Sequence, residues 1–186
     1  MFKAGACAND FLGTDRSETI TGSDSGDRMA GYGGNDLIRG FHDNDCIHGG
    51  SGADRLAGGP DQDRLLGASG NDRLNGGTDR DTLFGGSGRD RLSGDFGRDR
   101  LYGGSGNDRL AGGGHGDRLF GERGNDRIHA GGAGDGPNRV DAGPGNDVIN
   151  VRNKHRDYVR CGAGSDRIVA DRSDRLYDCE RVSRRR

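Results

Sequence analysis

The sequence predicts an all-β fold, a parallel β-roll (a β-solenoid) with two nonapeptides per coil. Three observations predict it. From Gly13 to His129 the chain divides into thirteen consecutive nine-residue units with no insertion. Three positions recur: the first is Gly in all thirteen units, the sixth is Asp in twelve with Glu18 in the first, and the eighth is aliphatic throughout. Odd and even units also differ systematically, which lays an 18-residue period over the nine-residue one. A fixed period is the mark of a solenoid, whose units bury their apolar residues only by stacking on their neighbours.

Composition alone points elsewhere. Of 186 residues 28% are hydrophobic, 31% are charged, 39 are Gly and none is Trp, which is close to the profile of chains too poor in apolar surface to fold. The periodicity overrides that reading. The net charge of −2 conceals 28 basic and 30 acidic residues, so placement matters more than total. No apolar run approaches membrane-spanning length, so no membrane insertion is expected, and Met1 to Ala8 hold no apolar stretch of the length a secretion signal needs.

The 18-residue period appears at two positions. At the fourth, odd units carry Gly34, Gly52, Gly70, Gly88, Gly106 and Gly124, whereas even units carry Ser25, Asp43, Asp61, Asp79, Gly97 and His115. At the third, Ser51, Ser69, Ser87 and Ser105 contrast with Asp24, His42, Pro60, Thr78 and Phe96. If two units make a coil, one column of turns is regular and the other degenerate.

Gly103-Gly104-Ser105-Gly106-Asn107-Asp108-Arg109-Leu110-Ala111 fits every fixed position of G-G-x-G-x-D-x-U-x. The repeat thereby resembles the repeats-in-toxin (hemolysin-type) calcium-binding nonapeptide family. The resemblance implies a six-residue turn, a three-residue strand and multiple Ca2+ ions between stacked turns. It assigns ligands to the carbonyls of the first four positions and to the sixth-position Asp, shared by turns two units apart. Carried onto this chain, the side-chain ligands are Asp36, Asp54, Asp72, Asp90, Asp108 and Asp126 on the regular column. On the other they are Asp27, Asp45, Asp63, Asp81, Asp99 and Asp117, with Asp43, Asp61 and Asp79 as extra ligands. Asp147 follows in the irregular region. The carbonyls are those of Gly49, Gly50, Ser51, Gly52, Gly67, Ser69, Gly70, Gly85, Ser87, Gly88, Gly103, Ser105 and Gly106.

The chemistry is consistent with that assignment. Strands in neighbouring coils sit about 4.8 Å apart, so the sixth-position carboxylates form columns of like charge. Neighbours near 5 Å repel by roughly 0.8 kcal/mol per pair even in water. Calcium takes six to eight oxygens in flexible geometry, and glycine-rich turns let carbonyls point inward beside the Asp. The competing reading, an Asx-type turn without metal, leaves the columns unneutralised. Zinc is disfavoured because five His and four Cys never cluster at ligand spacing.

Two outward rows are also legible. The seventh position places Arg55, Arg73, Arg91, Arg109 and Arg127 on the odd strand face, either a soluble surface or a ladder for an acidic polysaccharide or cell surface. Roughly ten Ca2+ ions would carry the chain from −2 to about +18, making polyanion binding calcium-dependent. The ninth position places Leu66, Phe84, Tyr102 and Phe120 on the even face, as a cross-strand stack or a self-association surface.

The chain is expected to comprise an N-terminal extension (1–12), thirteen repeats (13–129) and an irregular, disulfide-capped end (130–186). Gly136-Pro137-Asn138 looks inserted, and units resume at Ala142 and Cys161. Cys161 and Cys179 stand eighteen residues apart, one coil, which places them within disulfide reach. This tail resembles that of secreted actinobacterial calcium-binding repeat proteins, which favours an oxidising, extracellular location. Cys7 and Cys46 have no spacing that argues for a pair.

The function expected is an extracellular calcium-binding module, without catalysis, that folds on binding calcium. The alternatives are an adhesion or acidic-polysaccharide-binding module and the non-catalytic appendage of a secreted hydrolase or epimerase. No catalytic constellation stands apart from the repeat, and no nucleic-acid partner is expected.

Overall fold

In a computed structural model, which describes Cys7, residues 9–131 and residues 136–184, the described residues form parallel strands and turns and no helix. The strands alternate between two ten-stranded sheets, each strand pairing with the next but one in sequence. Leu65 pairs with Leu83 on one sheet and Leu74 with Leu92 on the other, each eighteen residues on, so one coil is two units. We call the sheets even and odd after the units that supply their seventh to ninth positions.

The central strands are longer than the family pattern implies. Arg64–Ser69 and Arg100–Ser105 each run six residues, because the strand continues through the first three positions of the next unit. Strand geometry accounts for this. Side chains alternate at a period of two, so the eighth-position aliphatic and the following first-position Gly face the same way. The burial pattern of Arg64–Ser69 alternates accordingly. Only the fourth to sixth positions turn the chain.

The core is two facing ladders one residue wide. Met29, Ile47, Leu65, Leu83, Leu101 and Leu119 come from the even sheet, and Ile38, Leu56, Leu74, Leu92, Leu110 and Ile128 from the odd; all are buried. Leu101→Ala is expected to cost about 3 kcal/mol in thermal or urea unfolding of the calcium-loaded chain, since a coil this thin has no second layer to collapse into the gap.

Each end of the roll is tied by a disulfide. Within the expected N-terminal extension, Asn9–Leu12 forms a strand, with Asn9 beside Asp27 and Phe11 beside Met29. The rest of the expected extension, residues 1–6 and 8, lies outside the described residues. Cys7 forms a disulfide with Cys46 (Cα–Cα 6.1 Å), a pairing that sequence spacing hides because the chain entering the first coil crosses to a later one. At the other end the expected Cys161–Cys179 bridge forms (Cα–Cα 5.1 Å), tying the last coils together.

Asn138 is not inserted. Its Oδ1 accepts the Asp117 backbone N–H at 2.7 Å, which is the sixth-position contact, and Arg118 pairs with Arg139, twenty-one residues on. The three additional residues therefore precede Asn138, in a stretch of which 132–135 lie outside the described residues. From here the first position changes character: Ala130, Ala142, Val151, Cys161 and Ala170 put side chains into the core where the earlier units have Gly.

Candidate metal centre

In the central coils the sixth-position carboxylate is buried beneath its turn and accepts the ladder hydrogen bond on one oxygen. The backbone N–H of Asp36 donates to Oδ1 of Asp54, Asp54 to Asp72, Asp72 to Asp90 and Asp90 to Asp108, all at 2.8 Å, and the even column repeats this through Asp45, Asp63, Asp81 and Asp99. The other oxygen is the notable one. Oδ2 of Asp36, Asp45, Asp54, Asp63, Asp72, Asp81, Asp90, Asp99, Asp108 and Asp126 is buried without a hydrogen-bond donor. A buried acceptor left unpaired costs about 1–3 kcal/mol, more when charged, so a stack of them calls for a cation.

First-position glycines form the cradle. A Cβ on Gly85 would lie 2.6 Å from Asp90 Oδ2 and 2.5 Å from the Gly103 carbonyl oxygen of the next coil, so only glycine leaves that space to two acceptors. Gly49 and Gly67 stand in the same relation to Asp54 and Asp72. Fourth-position carbonyls face the neighbouring coil too: a Cβ on Gly52, Gly70, Gly88, Gly106 or Gly124 would lie between 1.5 and 1.7 Å from the fourth-position oxygen of the coil before. The third-position carbonyls of Ser69, Ser87 and Ser105 already accept N–H bonds from Gly52, Gly70 and Gly88. The second-position carbonyl of Gly50 receives the Ser69 hydroxyl at 3.4 Å. Among the described residues no three His, Cys, Asp or Glu side chains converge, so an ion held here draws most of its oxygens from backbone.

The turns of the two columns share a left-handed fourth position but not its degree. Gly52, Gly70, Gly88, Gly106 and Gly124 have φ between 127° and 138°, which L-residues rarely adopt. Asp43, Asp61, Asp79 and His115 have φ of 72–79°, the left-handed helical region that Asp and His enter comparatively readily. At these four positions the degenerate column is a different turn of the same hand, whereas its Gly97, at φ 154°, falls nearer the odd turns. Asp43, Asp61 and Asp79 are exposed, and their charges lie close enough to help raise the buried Asp45, Asp63 and Asp81.

Other expected ligands stand apart. Both oxygens of Asp27 already take donors, from Ser23 N–H at 2.6 Å and Asn9 Nδ2 at 2.9 Å, so the first even turn differs from those after it. Asp147 keeps the ladder bond to Asp126 N–H and a buried, undonated Oδ2, but its unit begins with Ala142. Sequence reasoning passed over the fifth position. There Asn35, Asn71 and Asn107 accept from the backbone N–H of Ala53, Arg89 and Asn125, clamping successive odd turns. The signal was the recurrence of Asn at that position.

Burial raises these carboxylates well above their usual range, and repulsion between neighbouring Asp adds to it. Asp63 and Asp81 are pushed up to about 8, Asp45, Asp90 and Asp126 to about 7, and Asp72, Asp99 and Asp147 to about 6. Hydrogen bonds from the preceding backbone N–H work the other way and lose. Because the folded values lie above the unfolded ones, the metal-free roll binds more protons than the unfolded chain. Its stability is fully present below the unfolded carboxylate range and falls as pH rises through about 6 to 8. Metal-free chain is expected to be more structured at pH 4.5 than at pH 8.5 by circular dichroism, and calcium uptake near pH 6.5 to release protons to a pH-stat.

A parallel solenoid with columns of buried, donor-starved carboxylates and backbone oxygens is a cation-binding β-roll. Matches to the RTX calcium-binding nonapeptide repeat (4 copies) fall at residues 12–40, 21–56, 48–83, 57–92, 84–114, 111–133 and 132–152, and the chain belongs to that family. Its repeats bind multiple Ca2+ ions, which makes this chain a calcium-binding structural module. No curated protein matches the chain.

Proposed function

We propose that this chain is an extracellular, non-catalytic module that assembles on calcium, with the ions held between successive turns by Asp36, Asp54, Asp72, Asp90, Asp108 and Asp126 on one side. On the other side Asp45, Asp63, Asp81, Asp99 and Asp117 perform the same role. The carbonyls of the first-, second- and fourth-position residues, Gly49, Gly50 and Gly52 among them, complete each shell. The single observation that carries this reading is the stack of buried Oδ2 atoms without donors, each facing the cradle of its first-position glycine. Without cations the two columns oppose stacking; with them, every ion ties one coil to the next.

Two disulfides support an oxidising, extracellular setting. The commitment of fixed positions to turn, ladder and core supports a structural role without catalysis. No helix among the described residues is long and apolar enough to cross a membrane. Titrating the metal-free chain at pH 8 from micromolar to millimolar calcium is expected to convert a largely unfolded circular dichroism spectrum into a β-rich one. A spectrum already β-rich and indifferent to calcium would overturn the reading, and native mass spectrometry of the loaded chain counts the ions.

A further inference from the structure

We propose that the outer face of the odd sheet binds a linear acidic polysaccharide, carrying one carboxylate or sulfate per sugar, laid along the axis of the roll. The proposal rests on the calcium-assembled roll above, because the face exists only when the coils are stacked. Arg55, Arg73, Arg91, Arg109 and Arg127 pair in register on adjacent strands and are all exposed. Their Cα atoms recur at about the 4.8 Å strand spacing. Among the described residues none of the five enters an ion pair.

The even sheet provides the contrast. Its equivalent row is interrupted by Cys46 and Thr82, Arg28 is paired with Asp10, and the Arg64 guanidinium lies 4.7 Å from the Phe84 ring centroid. A run of five stacked arginines without an ion pair occurs on the odd face alone among the described residues, and stacking them is unfavourable until further anions lie across them.

The surroundings fit a polymer better than a point charge. Beside the arginines the ninth position is small or polar, Ala57, Asn75, Ser93 and Ala111, which leaves a long groove of about 680 Å³ walled by the arginine side chains. Beyond Val148 it continues as a recess of about 350 Å³ lined by Arg167 and Arg181. On the turn side of the same arginines Arg89 borders a further recess of about 310 Å³. The nearby carboxylate of Asp95 is engaged by Ser93 Oγ at 2.5 Å and Asn75 Nδ2 at 2.7 Å.

A guanidinium fork binds carboxylate or sulfate through two hydrogen bonds, and the strand spacing is close to the length of one pyranose unit. Stacking platforms for bases are on the wrong side. Phe84, Tyr102 and Phe120 stack at 4.8 Å on the even sheet, which disfavours single-stranded nucleic acid as the occupant of the odd one.

The test is calorimetric titration of the full chain in saturating calcium and about 0.15 M salt with alginate, dextran sulfate, uncharged dextran and oligo-dT. Circular dichroism of each protein with and without calcium accompanies it. Binding to alginate or dextran sulfate, with none to dextran, is expected, and the two polymers separate uronate from sulfate recognition. The variant R73E/R91E/R109E is expected to bind about a hundredfold more weakly, and R100E/R118E/R139E, an equal charge change on the even sheet, within about threefold of wild type. R73Q/R91Q/R109Q replaces the first variant if charge reversal prevents folding, with the same expected direction.

Equal losses in both triple variants, no binding of either acidic polymer by folded wild type, or tighter binding of oligo-dT would overturn the proposal. A circular dichroism spectrum unmoved by calcium would instead count against the calcium-assembly reading, and the titrations would still decide the ladder.

Discussion

Gly88→Ala is expected to destabilise the calcium-loaded roll by about 4 kcal/mol, measured by thermal or urea unfolding in saturating calcium. Two costs combine. At φ 129° a residue with a Cβ is strained, and the added methyl would sit 1.7 Å from the Gly70 carbonyl oxygen, so the coils must separate locally. Separation also moves a carbonyl that faces the interval between coils, so the calcium midpoint is expected to rise together with the loss of stability. Asp79→Gly, at the equivalent position of the other column, is expected to change stability by less than about 1 kcal/mol, because φ 77° is accessible to both residues. A Gly88→Ala protein within about 1 kcal/mol of wild type would show that the odd turns relax far more freely than their stacking allows.

Asp90→Asn is expected to act with opposite sign on the two forms of the protein. In the metal-free chain at pH 8 the substitution removes a buried charge whose carboxyl is pushed up to about 7, and it keeps the Oδ1 acceptor for the Asp72 N–H. The metal-free roll should therefore become more stable. In calcium the same change removes a ligand charge from between two turns, and the midpoint for folding is expected to rise about tenfold, with one or two fewer ions counted by native mass spectrometry. The chain holds its own version of this substitution at Asn138, which keeps the ladder contact to Asp117 and buries an amide nitrogen without an acceptor. If Asp90→Asn weakened both forms alike, the carboxylate would be structural and not a calcium ligand.

The fold was legible because its information is repetitive. One buried aliphatic per unit set the core, the Gly and Asp positions set the turn, and the 18-residue contrast between Gly34 or Gly52 and Asp43 or Asp61 revealed two units per coil before any strand was seen. The Cys161–Cys179 bridge was legible for the same reason, since its separation is one coil. Where the period breaks, the sequence loses its ruler. The Cys7–Cys46 bridge joins residues thirty-nine apart, a distance that names no coil, and Asn138 read as an insertion because the extra residues fall just before it.

The sequence by itself determined the periodic part of this protein: parallel coils of two units, their aliphatic core, and the columns of carboxylate that mark a calcium-binding repeat. It could do so because each of these depends on contacts between residues a constant eighteen apart. Only the tertiary structure decided which oxygen of each Asp is left without a donor, how far each left-handed turn is from what an L-residue tolerates, and which arginine row stays free of ion pairs. Those depend on the rise and relative rotation of neighbouring coils, on atoms of one turn meeting atoms of the next, and the identity of single residues does not encode that geometry.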